Sequence, residues 1–403
     1  MISGLRKKTN PGQKDMIISG LRIIMCRECR RLCSRPIYPV GMVVVPIIMT
    51  LFFVAILNQG LPRKVPAAVV DLDHSPMSRA LTRSLAAMEL VDIIATPEDY
   101  HEAMQAVASG EIYGFFMIPE GFERRAISGE APQLSYYFNL SFYVPGSLLL
   151  KGFKTMAVTE SGSLVRSDLV DKGATTGMAA TVVRPLVVTS HPLHNPWLNY
   201  SYYLSPSFLY GLLELMIMLI TAFSITSEIK QATSRQWLAL ANGRLATALV
   251  GKLLPQTAIF TVIGVGINSL LFHWNHFPMN GSELWMGVGM LLFVVASQSF
   301  ATIICALLPN PRLSLSVCSL LGVLAFSLAA FSFPTEAMYG GIAVFSNLLP
   351  VRWYFLIYID QALNGVALYY GRFYFIALLC FPVAATFIAP LIKNRLTSPV
   401  YME

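Results

Sequence analysis

Six apolar runs, each about the length a helix needs to cross a bilayer, constrain this chain more than any other feature. A hydrocarbon core of about 30 Å takes roughly 20 apolar residues as a helix. Runs of that size lie at 37–57 (IYPVGMVVVPIIMTLFFVAIL), 206–227 (PSFLYGLLELMIMLITAFSITS), 253–272, 284–308, 313–333 and 373–392, and Glu214 is the one charged residue in them. Lipid offers no hydrogen-bond partners, so such runs must satisfy their own backbone as helices. The composition agrees, since 13% of the residues are charged, whereas soluble domains run at about 25%.

Orientation follows from Lys and Arg near the ends of the runs. Nine of them precede residue 36, four more are Lys230, Arg235, Arg244 and Lys252, and Arg312, Lys393 and Arg395 mark the later loop and the tail, while 273–283 holds none. Both termini are therefore expected in the cytoplasm, with the long segment 58–205 outside. The formal charge of +7 sits where the positive-inside rule and anionic lipid place it, so the expected charged partner is a lipid membrane and not nucleic acid. No cleavable signal peptide is expected, because the first apolar run follows a long basic stretch without a small-residue cleavage pattern. None of the six cysteines falls in 58–205, which excludes a disulfide framework there.

Residues 1–35 read as a cytoplasmic N-terminus and interfacial helix. Ile17, Leu21, Ile24, Met25 and Leu32 share one helical face, and Arg27, Arg31 and Arg35 recur at four-residue spacing on another. Such a helix is expected to lie flat at the membrane surface before the first transmembrane helix, 36–57. Segment 58–205 reads as an extracytoplasmic α/β domain, because short apolar strands alternate with helical stretches. The strands are AAVVDL, VDIIAT, YGFFMIP and QLSYYFN, with a last extended run TVVRPLVVTSH. Ser75 is placed to cap a helix starting at Pro76, and Gly110 to end the helix that follows Glu98 and Asp99. A longer helix covers about 146–171. The remainder, 206–403, carries transmembrane helices 2–6, a short cytoplasmic helix over 228–240 and an outer segment, 334–371. That last segment is too apolar for a free loop and reads as short helices in the outer leaflet, the alternative being an ordinary external loop with a helix. The fold class is thus membrane α-helical, six spans plus an interfacial helix, with an inserted α/β domain.

Few motifs carry chemistry. No G-x-x-x-x-G-K-[ST] occurs, so ATP-driven work needs another subunit to hold nucleotide. Asp71-Leu72-Asp73 at a strand end has the form of a phosphatase nucleophile pair. Phosphoryl transfer also wants a lysine and paired carboxylates on Mg²⁺, and the adjacent acids Glu98 and Asp99 open a helix instead. The pair reads as strand-end and capping residues, and no catalytic residue is expected. Cys26, Cys29 and Cys33 have a ligand-like spacing without a fourth ligand, and His191/His194 and His273/His276 lack a nearby carboxylate or cysteine, so no metal site is expected. Glu214 inside a span must meet a partner, water or a headgroup; it is a candidate for a pathway or a helix interface, or a protonated group near the outer third. Asn268 and Gln298 suit interhelical hydrogen bonds, or a pathway lining. The aromatic clusters 136–143 and 199–208 suit the outer interface.

One span, a large external α/β segment and five closely spaced spans form a distinctive layout, and four stretches carry a resemblance across nearly the whole length. They are PAAVVDLDHSPMSRAL (66–81), FFMIPEGFERRAISGEAPQL (115–134), HNPWLNYSYYLSPSF (194–208), and Glu228 to Thr233 followed by GKLLPQ (251–256). On these the chain resembles ABC-2-type permeases, the membrane subunits of bacterial ABC exporters. Glu228 and Thr233 match an E-R-E-x-G-T pattern of that family, whereas Ile229, Lys230 and Ala232 replace its Arg, Glu and Gly. The resemblance implies that 228–240, with Glu228, Lys230, Thr233 and Arg235, is a coupling helix that docks in a cytoplasmic ATP-binding subunit. It also implies a second permease copy or a related permease, and ATP and Mg²⁺ bound by the partner alone. A periplasmic adaptor and an outer-membrane channel are further partners it suggests, and the bacterial inner membrane is the location. Two other classes stay in view. A secondary transporter would carry several intramembrane charges and repeated halves, and a membrane-anchored sensor would not need the basic coupling segment.

Overall fold

The computed structural model describes residues 11–57, 64–128, 133–141, 143–171, 175, 199, 201–308, 310–329, 335 and 338–397. The chain divides into two compact units, Leu61–Pro192 and a second made of Met1–Gly60 with Leu193–Glu403.

In the second unit, α1 (Pro11–Ser34) leads into α2 (Ile37–Leu57). The break falls at Arg35 and Pro36, where proline removes a backbone donor. α2 widens over Val40–Val44 just before Pro46, whose missing N–H leaves a carbonyl that a longer-range bond accommodates.

The Leu61–Pro192 unit is built on a four-stranded sheet in the order β2-β1-β3-β4. The strands are β1 (Val65–Asp71), β2 (Val91–Ala95), β3 (Gly114–Ile118) and β4 (Ser135–Phe138). β1 runs parallel to β2 and β3, and β4 closes antiparallel on β3. Between them come α3 (Pro76–Ala86), α4 (Tyr100–Ser109) and α5 (Phe122–Ile127), and α6 (Tyr143–Asp171) follows. Alternation along β1 divides the core. Val65, Ala67 and Val69 face Leu81, Leu85, Phe116, Leu149 and Phe153, while Ala68 and Val70 meet Phe115 and Ala103 on the other side. Ser75 Oγ accepts the Ser78 N–H at 3.0 Å, and Asp99 caps α4 while Glu102 reaches back to the Glu98 N–H. Gly110 ends α4 at φ +81. The extended run at 181–191 lies outside the described residues.

The rest of the chain gives α7 (Ser201–Lys230), α8 (Ser234–Leu240), α9 (Leu245–Trp274), α10 (Glu283–Leu307) and α11 (Pro311–Leu328), then α12 (Gly340–Ser346), α13 (Pro350–Asn364), α14 (Leu368–Ile388) and α15 (Pro390–Thr397). Among the described residues six helical runs are long and apolar enough to cross a membrane: α2, α7, α9, α10, α11 and Leu368–Lys393. α12 and α13 meet at 80°, so the described part of 334–371 is a bent helix pair.

α7 is the central helix, packing against α2, α10 and α11. Beside it Tyr354 of α13 meets Tyr210 edge-on at 4.7 Å and stacks on Phe293 at 5.0 Å. Glycine lets spans approach closely here: a Cβ on Gly264 would run into Met290 Sδ, and one on Gly322 would lie 3.1 Å from the Leu215 Cα.

Candidate functional site

The densest polar arrangement lies where α7 ends. Glu228, in its last turn, is fully buried. Arg27 Nη2 donates to both its carboxylate oxygens at 3.0 and 2.8 Å, Lys252 Nζ donates to Oε1 at 2.9 Å, and Arg31 and the Thr233 hydroxyl donate to it as well. Lys252, also fully buried, bridges to Glu28 Oε2 at 2.9 Å and lies 5.1 Å from the centre of the Trp237 ring on α8. Glu28 further accepts from Ser224 at 3.0 Å and Gln256 at 3.3 Å, and Arg31 reaches Ser227 at 2.7 Å. Three cations thus meet two carboxylates, with hydroxyl and amide groups on the remaining lone pairs. Burying charge is tolerable when it is paired and hydrogen-bonded in this way. The cluster joins α1, α7, α8 and α9.

Local chain geometry puts α8 against it. The Thr233 N–H returns to the Glu228 carbonyl at 3.0 Å, and Ala232 turns the chain at φ +55. A second left-handed turn, Asn242 at φ +52 and Gly243 at φ +73, follows α8. The short helix is therefore held between two sharp turns, with Trp237 and Leu238 buried and Lys230, Arg235 and Gln236 exposed.

This arrangement corrects several sequence expectations. The expected helix over 228–240 is two elements, the end of α7 and α8, separated by the turn at Ala232. Glu228 does not face outward from a docking helix; it is an internal acceptor. Arg27 and Arg31 turn inward to Glu228, because α1 packs along α9 and its buried side carries Ile24, Glu28, Arg31 and Leu32. Lys252, one of the basic residues that mark the span ends, is internal. Glu28, Arg31 and Lys252 are the residues that sequence reasoning missed. A signal existed in the acid of CRECRR, which lies four residues from both Ile24 and Leu32, and in one lysine at the head of an otherwise uncharged span.

The other candidates lie elsewhere. Asn268 accepts from the Tyr210 hydroxyl and donates to that of Tyr354, each at 2.9 Å, tying α7, α9 and α13 together. Gln298 accepts from Thr257 at 2.6 Å between α10 and α9. Glu214 is fully buried; among the described residues no donor reaches its oxygens with good geometry, and the Val351 N–H of α13 faces it. An apolar groove of about 860 Å³ opens between α2, α7 and α11, lined by Gly41, Ile220, Phe223, Leu320 and the hydroxyl-bearing Ser316 and Ser319.

Asp71 and Asp73 are occupied as acceptors. Asp71 takes the N–H groups of Asp73 and His74 and the Ser78 hydroxyl at 2.6 Å, and Asp73 takes those of Phe122 and Glu123 at 2.9 and 3.0 Å. Burial acts to raise the Asp73 carboxyl, but hydrogen bonds from Ser75 and from the backbone of Glu123, Phe122 and Gly121 outweigh it and hold it below the usual range. His273, expected to lack a carboxylate, lies 3.5 Å from Glu283, because the loop after α9 brings the start of α10 beside it. Among the described residues no three His, Cys, Asp or Glu side chains group as a metal site.

The family model described as "ABC-2 family transporter protein" matches residues 40–391, from within α2 to the start of α15. No curated protein matches the chain. The six long apolar helices and the family match agree, and the chain belongs to the ABC-2 transporter family, as a multi-pass membrane subunit of an ABC transporter of the kind that works with separate ATP-binding subunits.

Proposed function

We propose that this chain is the permease of an ATP-driven exporter in a bacterial inner membrane, with both termini and α8 in the cytoplasm and 58–205 outside. The chain itself takes no cofactor; ATP and Mg²⁺ belong to the partner. The observation that carries the reading is the buried ion cluster, because it makes α8 continuous with α1, α7 and α9. Lys230 and Arg235 present the docking face, while Glu228 and Thr233 transmit. When the ATP-binding subunits close and displace α8, Thr233 and Trp237 carry the movement to Glu228 and Lys252. A stiff cluster of paired charges shifts as a block, and the helices it ties shift with it. A second copy or a close relative completes the membrane part, and a periplasmic adaptor and outer-membrane channel extend the route.

The cargo in this reading is amphiphilic. Its apolar part fits the groove between α2, α7 and α11, where Ser316 and Ser319 supply hydroxyls. Glu214, Asn268 and Gln298 serve helix interfaces instead, two of them through the hydrogen bonds given above.

Co-purification with the ATP-binding subunits tests the docking face. Lys230→Glu with Arg235→Glu is expected to weaken the complex and uncouple ATP hydrolysis, with helical content unchanged by circular dichroism. Undiminished binding and transport would overturn the assignment.

A further inference from the structure

The side of α1 that turns away from the ion cluster carries three exposed thiols, Cys26, Cys29 and Cys33. At about 100° per residue they fall in a stripe roughly 60° wide, opposite the buried Ile24, Glu28, Arg31 and Leu32. They take no part in the packing of α1 on α9. No three ligating side chains converge as a metal site among the described residues, which leaves pairwise dithiol chemistry. Residues three apart on a helix have Cβ atoms about 5–6 Å from each other, and a disulfide needs about 3.5–4.5 Å. Closure is therefore within reach of a modest tightening of one turn. The turn bounded by Cys26 and Cys29 contains Arg27 and Glu28, which hold Glu228 at 2.8 Å and Lys252 at 2.9 Å.

We propose that Cys26 and Cys29 form a dithiol modification site that reacts with a small-molecule disulfide and closes to an intrahelical bond, weakening the ion cluster behind it. The Cys29 thiolate attacks one sulfur of RSSR; the S–S bond breaks and RS⁻ leaves, to be protonated by water. Cys26, having given its proton to solvent, attacks the Cys29 sulfur, and the mixed disulfide breaks to release a second RS⁻. Two protein thiols are oxidised and one disulfide is reduced to two thiols. Closure tightens the turn and draws Arg27 and Glu28 off their partners. A reducing cytoplasm keeps the pair open, and a rise in disulfide closes it. The consequence for coupling rests on the role given above to the Glu228 cluster.

The test uses the complex with its ATP-binding subunits in membrane vesicles, treated with oxidised glutathione, alkylated and digested with trypsin. Cleavage after Arg22, Arg27 and Arg30 places the two cysteines on separate peptides, so the bond appears in mass spectra as a linked pair. The expected result is a link that dithiothreitol removes, with coupled ATP hydrolysis falling severalfold in the parent protein. Cys26→Ser and Cys29→Ser keep their untreated activity and resist the oxidant. Thiols that remain free, a glutathione adduct that never resolves, or a link that leaves hydrolysis unchanged would each overturn the proposal. The link is read by mass and the coupling by hydrolysis. A defect in the coupling role itself would show separately, as normal coupling in Glu228→Gln.

Discussion

At Glu228 one carboxylate holds two helices and the turn before a third, and its removal takes their shared acceptor from Arg31 and Lys252, leaving one buried carboxylate, Glu28, to face the cations. Breaking a buried pair on one side costs about 3–5 kcal/mol, a large part of the roughly 5–15 kcal/mol that keeps a domain folded. Glu228→Gln should accordingly lower the thermal midpoint of the purified protein sharply, whereas Lys230→Gln, at an exposed position, should barely move it. Ala232 predicts the opposite sign. Its φ of +55 is a conformation that costs an L-residue about 1–2 kcal/mol, and it stands where the resembling pattern has Gly. Ala232→Gly is expected to stabilise the protein by about 1 kcal/mol, read as a higher midpoint. The matched pair Glu228 and Thr233 was legible in the sequence, but not their purpose: the threonine hydroxyl donates to the carboxylate.

Among the elements, β1 and α3 were the most legible, because a short apolar run, a Ser cap and a Pro at the first helical turn are local signals and none depends on distant chain. What Asp73 does was not legible. It accepts from Phe122 and Glu123, about fifty positions along the chain, and so pins the start of α5 to the end of β1. Its folded carboxyl titrates lower than in the unfolded chain. Its contribution to stability is therefore full above the unfolded value and disappears as pH falls through the folded one. Hydrogen-exchange protection at the Phe122 and Glu123 amides should decline on acidification through that window, and Asp73→Ala should abolish the pH dependence at a cost of about 1 kcal/mol. In the membrane unit, the spans were legible for a different reason: apart from Glu214 in the second, each excludes charge along its apolar run. Their ends were less so. α7 and α9 extend past the uncharged runs to Lys230 and to Leu245, since Glu228 and Lys252 neutralise each other inside the protein.

Over the whole molecule, the distribution of Lys and Arg gives an orientation that labelling can check. In a background lacking native cysteines, Glu111→Cys should react with an impermeant maleimide added to intact spheroplasts, and Lys230→Cys only after the membrane is opened. The reverse pattern would invert the proposed topology and remove α8 from the ATP-binding side. The same distribution concealed the cluster, because charges bunched at span ends satisfy the positive-inside rule whether they face water or one another. Of the basic residues at that end, Arg27, Arg31 and Lys252 face inward.

The sequence alone determined the number and positions of the apolar runs, the class of the protein and the local caps and turns, because each depends on a property spread along neighbouring residues. Only the tertiary structure decided that Glu228 is an internal acceptor, that α1 is tied to α7 and α9 through the ion cluster, and that its cysteines look away from it. Those facts come from side chains about two hundred positions apart, such as Arg27 and Glu228. Their meeting is set by helix packing, which leaves no periodic trace in the chain.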